Sequence, residues 1–185
     1  VKKSSIALDS IKTLIVGCKM SAEENTWSFT EDGTLYSEKF EDTYFMEGCG
    51  LAESREIFVQ GNKIAERLEE KTELTIGETG FGTGLNFLAA WDAWRKSSQN
   101  CRLIFFTCEL YPLELELHRK ALEPYDELAG LAQILLERLP KAKQGFHLVD
   151  FEGGQVQLLL MFGDVKETFS ECSLRADAWF LDGFA

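Results

Sequence analysis

Three glycines at alternate positions, Gly80, Gly82 and Gly84, stand between the apolar run ELTIGE and the helix-like run LNFLAAWDAW, with Glu78 just before them. Glycine adopts left-handed backbone angles that cost other residues about 1–2 kcal/mol, and it lets a ligand approach the main chain. A helix that starts directly after such a loop presents unpaired N–H groups. The pattern predicts a pocket for a nucleoside or an anionic group.

Spacing and charge narrow the chemistry. Dinucleotide loops use G-x-G-x-x-G/A, whereas the residue three beyond Gly82 is Leu85; a P-loop needs Lys-Ser/Thr after its last glycine, and Leu85-Asn86 stands there. Glu78 would repel a phosphate and attract a cation. S-adenosylmethionine fits: it carries a sulfonium, an ammonium and a nucleoside, and no phosphate. Glu78 would attract its amino group directly or through water. Glu109, ending the run RLIFFTCE, would accept from the ribose hydroxyls, as acids at that position do in dinucleotide folds. Asp164, in the pair Gly163-Asp164 after a later strand, would meet the adenine amino group. The plainer alternative for Glu109 and Asp164 is that they cap helices. The expected cofactor set is thus Glu78, the loop Gly80-Phe81-Gly82-Thr83-Gly84, Asn86, Glu109, Gly163 and Asp164.

The elements that must hold these residues follow from periodicity. From Thr72 onward, strand-like and helix-like runs alternate. LNFLAAWDAW sets Leu85, Leu88, Trp91 and Trp94 near one helical stripe, and RLIFFTCE reads as a strand buried on both faces. Pro112 is expected in the first turn of a helix reaching about Leu122. LAGLAQILLERL spaces Leu128, Leu131, Leu135 and Leu139 by three and four, ending at Pro140. FHLVDFEGGQVQLLLMF reads as a hairpin around Glu152-Gly153-Gly154 whose second arm joins the sheet, and DAWFLDGFA supplies a further strand. The succession points to an α/β fold, a doubly wound, mostly parallel sheet with helices on both faces.

The part before it differs. TWSFTEDGTLYSEKF carries a hairpin turn at Asp32-Gly33, and GLAESREIFVQGNKIAERLEE reads as two helical segments broken at Gly61-Asn62, with Asn62 capping the second. Residues 1–70 are expected to form an N-terminal extension and residues 71–185 the cofactor-binding domain. Because the chain stops three residues past Asp182, the last strand would leave core uncovered, so further sequence is expected beyond Ala185.

Composition sets bounds. With 185 residues, 45% of them hydrophobic, the chain can bury one sizeable core. Its five cysteines form no C-x-x-C pair, which predicts reduced thiols in a cytoplasmic protein, and two histidines are too few for a histidine-based metal centre. IALDSIKTLIVGC is broken by Asp9 and Lys12 and falls short of the roughly 20 residues of a membrane span. No membrane partner, DNA partner or metal is expected.

Taken in order, SEKFEDTYFMEGCGLAESREIFVQGNKIAERL, ETGFGTGLNFL, CELYP, the FGD segment and DAWFLDGFA resemble the methyltransferase domain of the bacterial tRNA 5-methylaminomethyl-2-thiouridine biosynthesis enzymes. The resemblance runs from about Leu35 to Ala185. It implies a Rossmann-like class I methyltransferase that methylates the exocyclic amine of 5-aminomethyl-(2-thio)uridine at the wobble position of tRNA. It also implies Asp182 as the active-site aspartate, Gly80 to Gly84, Glu109 and Asp164 as cofactor pocket, and a flavin-dependent (FAD) oxidase as a fused or separate companion. In that chemistry Asp182 would orient the amine and stabilise charge developing on nitrogen; the plain alternative is that it only ends a strand. Tyr44 and Phe184 are candidates to stack on the uracil ring. Against a tRNA substrate stands the charge, 19 − 31 = −12. Two other readings therefore stay open: methylation of a small amine, and a non-catalytic S-adenosylmethionine-binding subunit.

Overall fold

The structure, a computed structural model, describes residues 26–31, 33–44, 49–141, 143 and 145–182. Its centre is a five-stranded sheet of β4 (Glu73–Thr79), β5 (Arg102–Glu109), β6 (Gly145–Phe151), β7 (Val156–Phe162) and β8 (Ala178–Phe180), in the order β6-β7-β5-β4-β8. β7, β5, β4 and β8 run parallel, and β6 folds back antiparallel on β7 at the edge. The doubly wound expectation holds, including the hairpin that delivers β7 into the sheet.

Alternation along the strands divides the core. Leu74 and Ile76, Leu103 and Phe105, and Leu158 and Leu160 face α3 (Leu85–Lys96), which buries Leu85, Phe87, Leu88, Trp91 and Trp94. Each fully buried side chain of this size contributes about 1.5–3 kcal/mol. The helix is enclosed on its far side by a segment that begins as α1 (Gly50–Glu53) and continues as a π-helix over Ser54–Gln60, and by α2 (Ile64–Glu70). The opposite sheet face carries Phe106, Cys108, Leu159 and Met161, covered by Val165 and Phe169 of the last helix, over Val165–Ser170. Gly77 lies on this face, where a Cβ would stand 2.6 Å from the Phe106 ring and 2.7 Å from that of Trp179. Only glycine lets the two rings meet edge to face at 5.4 Å.

The connections between β5 and β6 are α4 (Leu115–Leu122) and α5 (Ala129–Arg138), and the helix after β7 is α6 (Val165–Ser170). Before the main sheet, β1 (Trp27–Phe29), β2 (Leu35–Ser37) and β3 (Asp42–Thr43) form a small antiparallel sheet, closed by the bond from the Gly33 amide to the Thr30 carbonyl at 3.0 Å. Its Leu35 packs with Leu113 and Ala121. The first sheet therefore stands beside α4, at the end of the main sheet where the parallel strands finish.

Two local expectations are corrected. Pro112 precedes α4 rather than entering it; Glu114, extended at φ −68° and ψ 152°, is the N-cap. Asn62 does not cap α2, whose preceding residue is Lys63 in the left-handed region; its Nδ2 donates to the Phe58 carbonyl at 3.1 Å, finishing the π-helical segment instead.

Candidate functional site

Strand order reverses around β4: β5 and β7 lie on one side and β8 on the other. In open α/β sheets ligands sit outside the carboxyl ends of strands at such a switch point. Here a cavity of about 330 Å³ opens there, walled by Thr79 to Thr83, Glu109 to Tyr111, Gly163 to Val165 and Asp182, with Ser37, Phe40, Thr43 and Tyr44 of the first sheet as its outer rim. That volume suits a small ligand.

The loop after β4 is built as its glycines require. Gly80, Gly82 and Gly84 have φ of +96°, +53° and +83°. The amides of Gly80 and Phe81 both donate to the Cys108 carbonyl, at 3.1 and 3.0 Å, which ties the loop to the end of β5. Gly84 is not on the cavity wall. A Cβ there would stand 2.7 Å from the Phe81 ring, so this glycine serves helix packing rather than the ligand. Gly82 faces the Tyr44 ring, 3.0 Å from where a Cβ would be.

Three acids reach the cavity from the ends of β5, β7 and β8, each held differently. Glu109 is buried and accepts the Gly82 amide on Oε2 at 2.8 Å and the Tyr111 amide on Oε1 at 2.7 Å. Burial raises its proton affinity, and the backbone amides of Gly82, Tyr111 and Leu110 pull it back down. Asp164 is the N-cap of α6, its Oδ1 accepting from Lys166 at 2.8 Å and Glu167 at 3.3 Å, so the helix-cap reading is realised at this residue while it also stands on the wall. Asp182, half-buried after β8, is bonded through its backbone carbonyl by the Thr79 hydroxyl at 2.9 Å and through Oδ2 by the Asn86 Nδ2 at 2.8 Å.

Glu78 departs from expectation. It lies on the α3 side of β4, only 1% exposed, and is not a wall residue. Neither carboxylate oxygen meets a hydrogen-bond partner among the described residues. Burial first, then the Asp182 and Glu109 charges, raise its pKa well above the ordinary range. Any effect of Glu78 on a ligand therefore passes through the wall. Tyr44 does reach the rim, packed at 5.4 Å from Trp27, its phenol pushed up by burial and then by Glu109. Phe184 lies outside the described residues.

Pattern reading missed Ser54, whose hydroxyl donates to Asn86 Oδ1 at 2.7 Å. It also missed the rim pair Phe40 and Tyr111, edge to face at 5.7 Å, with the Lys39 ammonium 4.8 Å above the Tyr111 ring. Nothing in their spacing marks Ser54 or Phe40, which meet the site from distant parts of the chain, whereas Tyr111 stands two residues past Glu109.

The wall fits a cationic ligand without phosphates: it carries Asp42, Glu109, Asp164 and Asp182, and no Lys, Arg or His is among its described residues. Among those residues no group of three His, Cys, Asp or Glu side chains is placed to hold a metal ion, and no helix is long and apolar enough to cross a membrane.

Comparisons with known proteins agree with this geometry. Residues 126–185 match the model of a family described as S-adenosyl-L-methionine-dependent methyltransferase. The tRNA 5-methylaminomethyl-2-thiouridine biosynthesis bifunctional protein MnmC of Marinomonas sp. (strain MWYL1) is 38% identical over 88% of this chain and 25% of its own length. That of Azoarcus sp. (strain BH72) is 42% identical over 85% of this chain and 25% of its own. The solved structure of MNMC2 from Aquifex aeolicus superposes with a TM-score of 0.67 at 26% identity, covering 89% of this chain and 52% of that one. The chain thus spans about a quarter of the length of these curated relatives. In sequence and in fold the chain is thus similar to part of the tRNA 5-methylaminomethyl-2-thiouridine biosynthesis proteins, and its C-terminal third matches an S-adenosyl-L-methionine-dependent methyltransferase family.

Proposed function

We propose that this chain binds S-adenosylmethionine at the glycine loop and methylates the exocyclic amine of 5-aminomethyl-(2-thio)uridine at the tRNA wobble position. The observation that carries the reading is Asp182: a carboxylate on the wall of the cavity, beside the loop, with one oxygen fixed by Asn86. The bound cofactor supplies a methyl group on a positively charged sulfur, which leaves as a neutral thioether when nitrogen takes the methyl carbon.

The residues divide that work. Gly80, Phe81, Gly82 and Thr83 give the cofactor a close backbone surface, and Glu109 and Gly163-Asp164 meet its nucleoside end. Asp182 accepts a hydrogen bond from the acceptor amine, aims its lone pair and stabilises the charge forming on nitrogen. Tyr44, on the rim, would contact the uracil ring. Residues 1–70 are read as an N-terminal extension, of which Ser37, Phe40, Thr43 and Tyr44 stand on the rim, and residues 71–185 as the cofactor-binding domain. The free thiols of Cys49, Cys101, Cys108 and Cys172 suit a cytoplasmic setting.

The net charge of −12 supports a second reading, a small amine as acceptor. The test uses the full-length protein and cofactor carrying a labelled methyl, with tRNA bearing 5-aminomethyluridine and tRNA lacking it. Label is expected in the first tRNA alone, and Asp182→Asn should cut turnover about 10²–10⁴-fold with cofactor affinity kept within a few-fold. Equal labelling of both tRNAs refutes the amine as acceptor. Transfer to free 5-aminomethyluridine at the rate seen with tRNA would favour the small-amine reading.

A further inference from the structure

Asp182 follows a strand of only three residues, which pairs with β4 at Ala178, Trp179 and Phe180. So short a strand fixes little of what comes after it, yet Asp182 is held at two points. The Thr79 hydroxyl bonds its backbone carbonyl at 2.9 Å, and the Asn86 amide bonds Oδ2 at 2.8 Å. The second bond has a built support. Asn86, in the first turn of α3, is 6% exposed, and its Oδ1 accepts at 2.7 Å from the hydroxyl of Ser54, which is 2% exposed and opens the π-helical segment.

The chemistry of the three groups sets their orientation. A carboxylate only accepts, so the nitrogen of the Asn86 amide must face Asp182 and its oxygen must face Ser54. A hydroxyl can donate or accept, and here it donates, locking the amide against a flip. The chain of donors runs Ser54 to Asn86 to Asp182 across residues 32 and 96 positions apart. Buried polar groups stay buried only when partnered, which makes the Ser54–Asn86 pair costly to disturb. Ser54 opens a π-helical segment, and such turns are frequent at functional sites.

We propose that Asn86, locked by Ser54 of the N-terminal extension, is the positioning residue that holds the Asp182 carboxylate in its working orientation, so that the extension acts on the chemistry and not only on the rim. The proposal rests on the methyltransferase reading above, and it gives Asn86, a cavity-lining residue expected to serve the cofactor, a second task.

The experiment uses the full-length protein and two independent readouts. The first is the side-chain amide of Asn86 in ¹⁵N NMR. In the wild type its proton facing Asp182 should lie downfield of an exposed asparagine. Asp182→Ala should move it upfield, and Ser54→Ala should broaden or split it as the amide gains freedom. The second is the division between turnover and cofactor affinity. Ser54→Ala should lower kcat about 5–20-fold and Asn86→Asp about 100-fold or more, each with the S-adenosylmethionine dissociation constant within about threefold. Ser54→Thr, which keeps the hydroxyl, should recover most of the Ser54→Ala loss. An Asn86 amide resonance indifferent to both Asp182→Ala and Ser54→Ala overturns the positioning role, as does a loss confined to cofactor affinity. A wild type that transfers no methyl to the modified tRNA refutes the functional reading, and the NMR result then still decides for or against the positioning role.

Discussion

The Glu109 carboxylate accepts the Gly82 amide at 2.8 Å, so the acid at the end of β5 braces the middle glycine of the loop after β4. Its other oxygen takes the Tyr111 amide at 2.7 Å. Buried carboxylates that accept backbone N–H groups are strongly constrained in orientation. Glu109 therefore shapes the wall before any ligand arrives.

Replacing Glu109 by alanine leaves one buried and one half-buried amide without acceptors and frees the loop. Cofactor affinity should fall about 10–100-fold, and stability by about 1–3 kcal/mol, the scale for hydrogen bonds to a charged acceptor and for orphaned donors. Calorimetry with S-adenosylmethionine and urea unfolding measure the two effects. An unchanged dissociation constant in a folded variant would leave Glu109 with no part in holding the loop.

Much of this arrangement was legible in the sequence. Glycines at alternate positions between an apolar run and an amphipathic one have few structural readings, and the three have positive φ as that pattern demands. Glu109 and Asp164 were legible as strand-end acids because strand length fixes where a run such as RLIFFTCE must stop. What those acids touch was not legible: a strand-end carboxylate can meet a ligand or a backbone amide, and only the fold decides. Glu78 illustrates the limit, since the two-residue period puts it on the α3 side of β4, one step away from the wall. Ser54 was beyond reach, because its partner Asn86 lies 32 positions away and no spacing of apolar residues announces the pair.

Two glycines should respond in opposite directions to the same change. At Gly84, φ is +83° and a Cβ would meet the Phe81 ring at 2.7 Å and a Leu135 methyl at 3.2 Å. Gly84→Ala should cost about 2–4 kcal/mol, from left-handed strain and overpacking together. Gly130 is exposed in the first turn of α5, with nothing within 4 Å of a Cβ. Gly130→Ala should add up to about 1 kcal/mol by lowering the entropy of the unfolded chain. Urea midpoints decide the matter, and equal shifts in both variants would contradict the geometry.

His118 gives the fold an acid-sensitive point. Its Nδ1 lies 3.2 Å from the Thr83 carbonyl, and burial lowers its pKa to about 4. The unfolded chain takes up this proton near pH 6.5, whereas the folded one resists it. Stability is therefore fully present above about pH 6.5 and falls by up to roughly 3 kcal/mol as pH drops toward 4. His118→Asn keeps a donor near the position of Nδ1 and cannot titrate. The stability difference between wild type and this variant should shift against the wild type as the pH is lowered from 7 to 4. A difference independent of pH would show that His118 does not remain neutral inside.

Glu78 should show the opposite sign in the same protein. Burial, reinforced by Asp182 and Glu109, raises its pKa well above the usual carboxylate range, so the folded chain keeps a proton that the unfolded chain releases near pH 4.3. Where the native state binds more protons, stability falls as pH rises. Glu78→Gln removes that ionisation, so the variant should match the wild type most closely near pH 4 and exceed it increasingly from there toward pH 8, read from urea unfolding at each pH. The same carboxyl reports on the ligand. A cation arriving on the other side of the wall makes ionisation easier, so S-adenosylmethionine binding near pH 7 should release a proton. Calorimetry would then give binding enthalpies that depend on the buffer's ionisation enthalpy in the wild type and much less so in Glu78→Gln. A pH-independent stability difference would refute the raised pKa. Buffer-independent enthalpies in the wild type would separate Glu78 from the cofactor's charge.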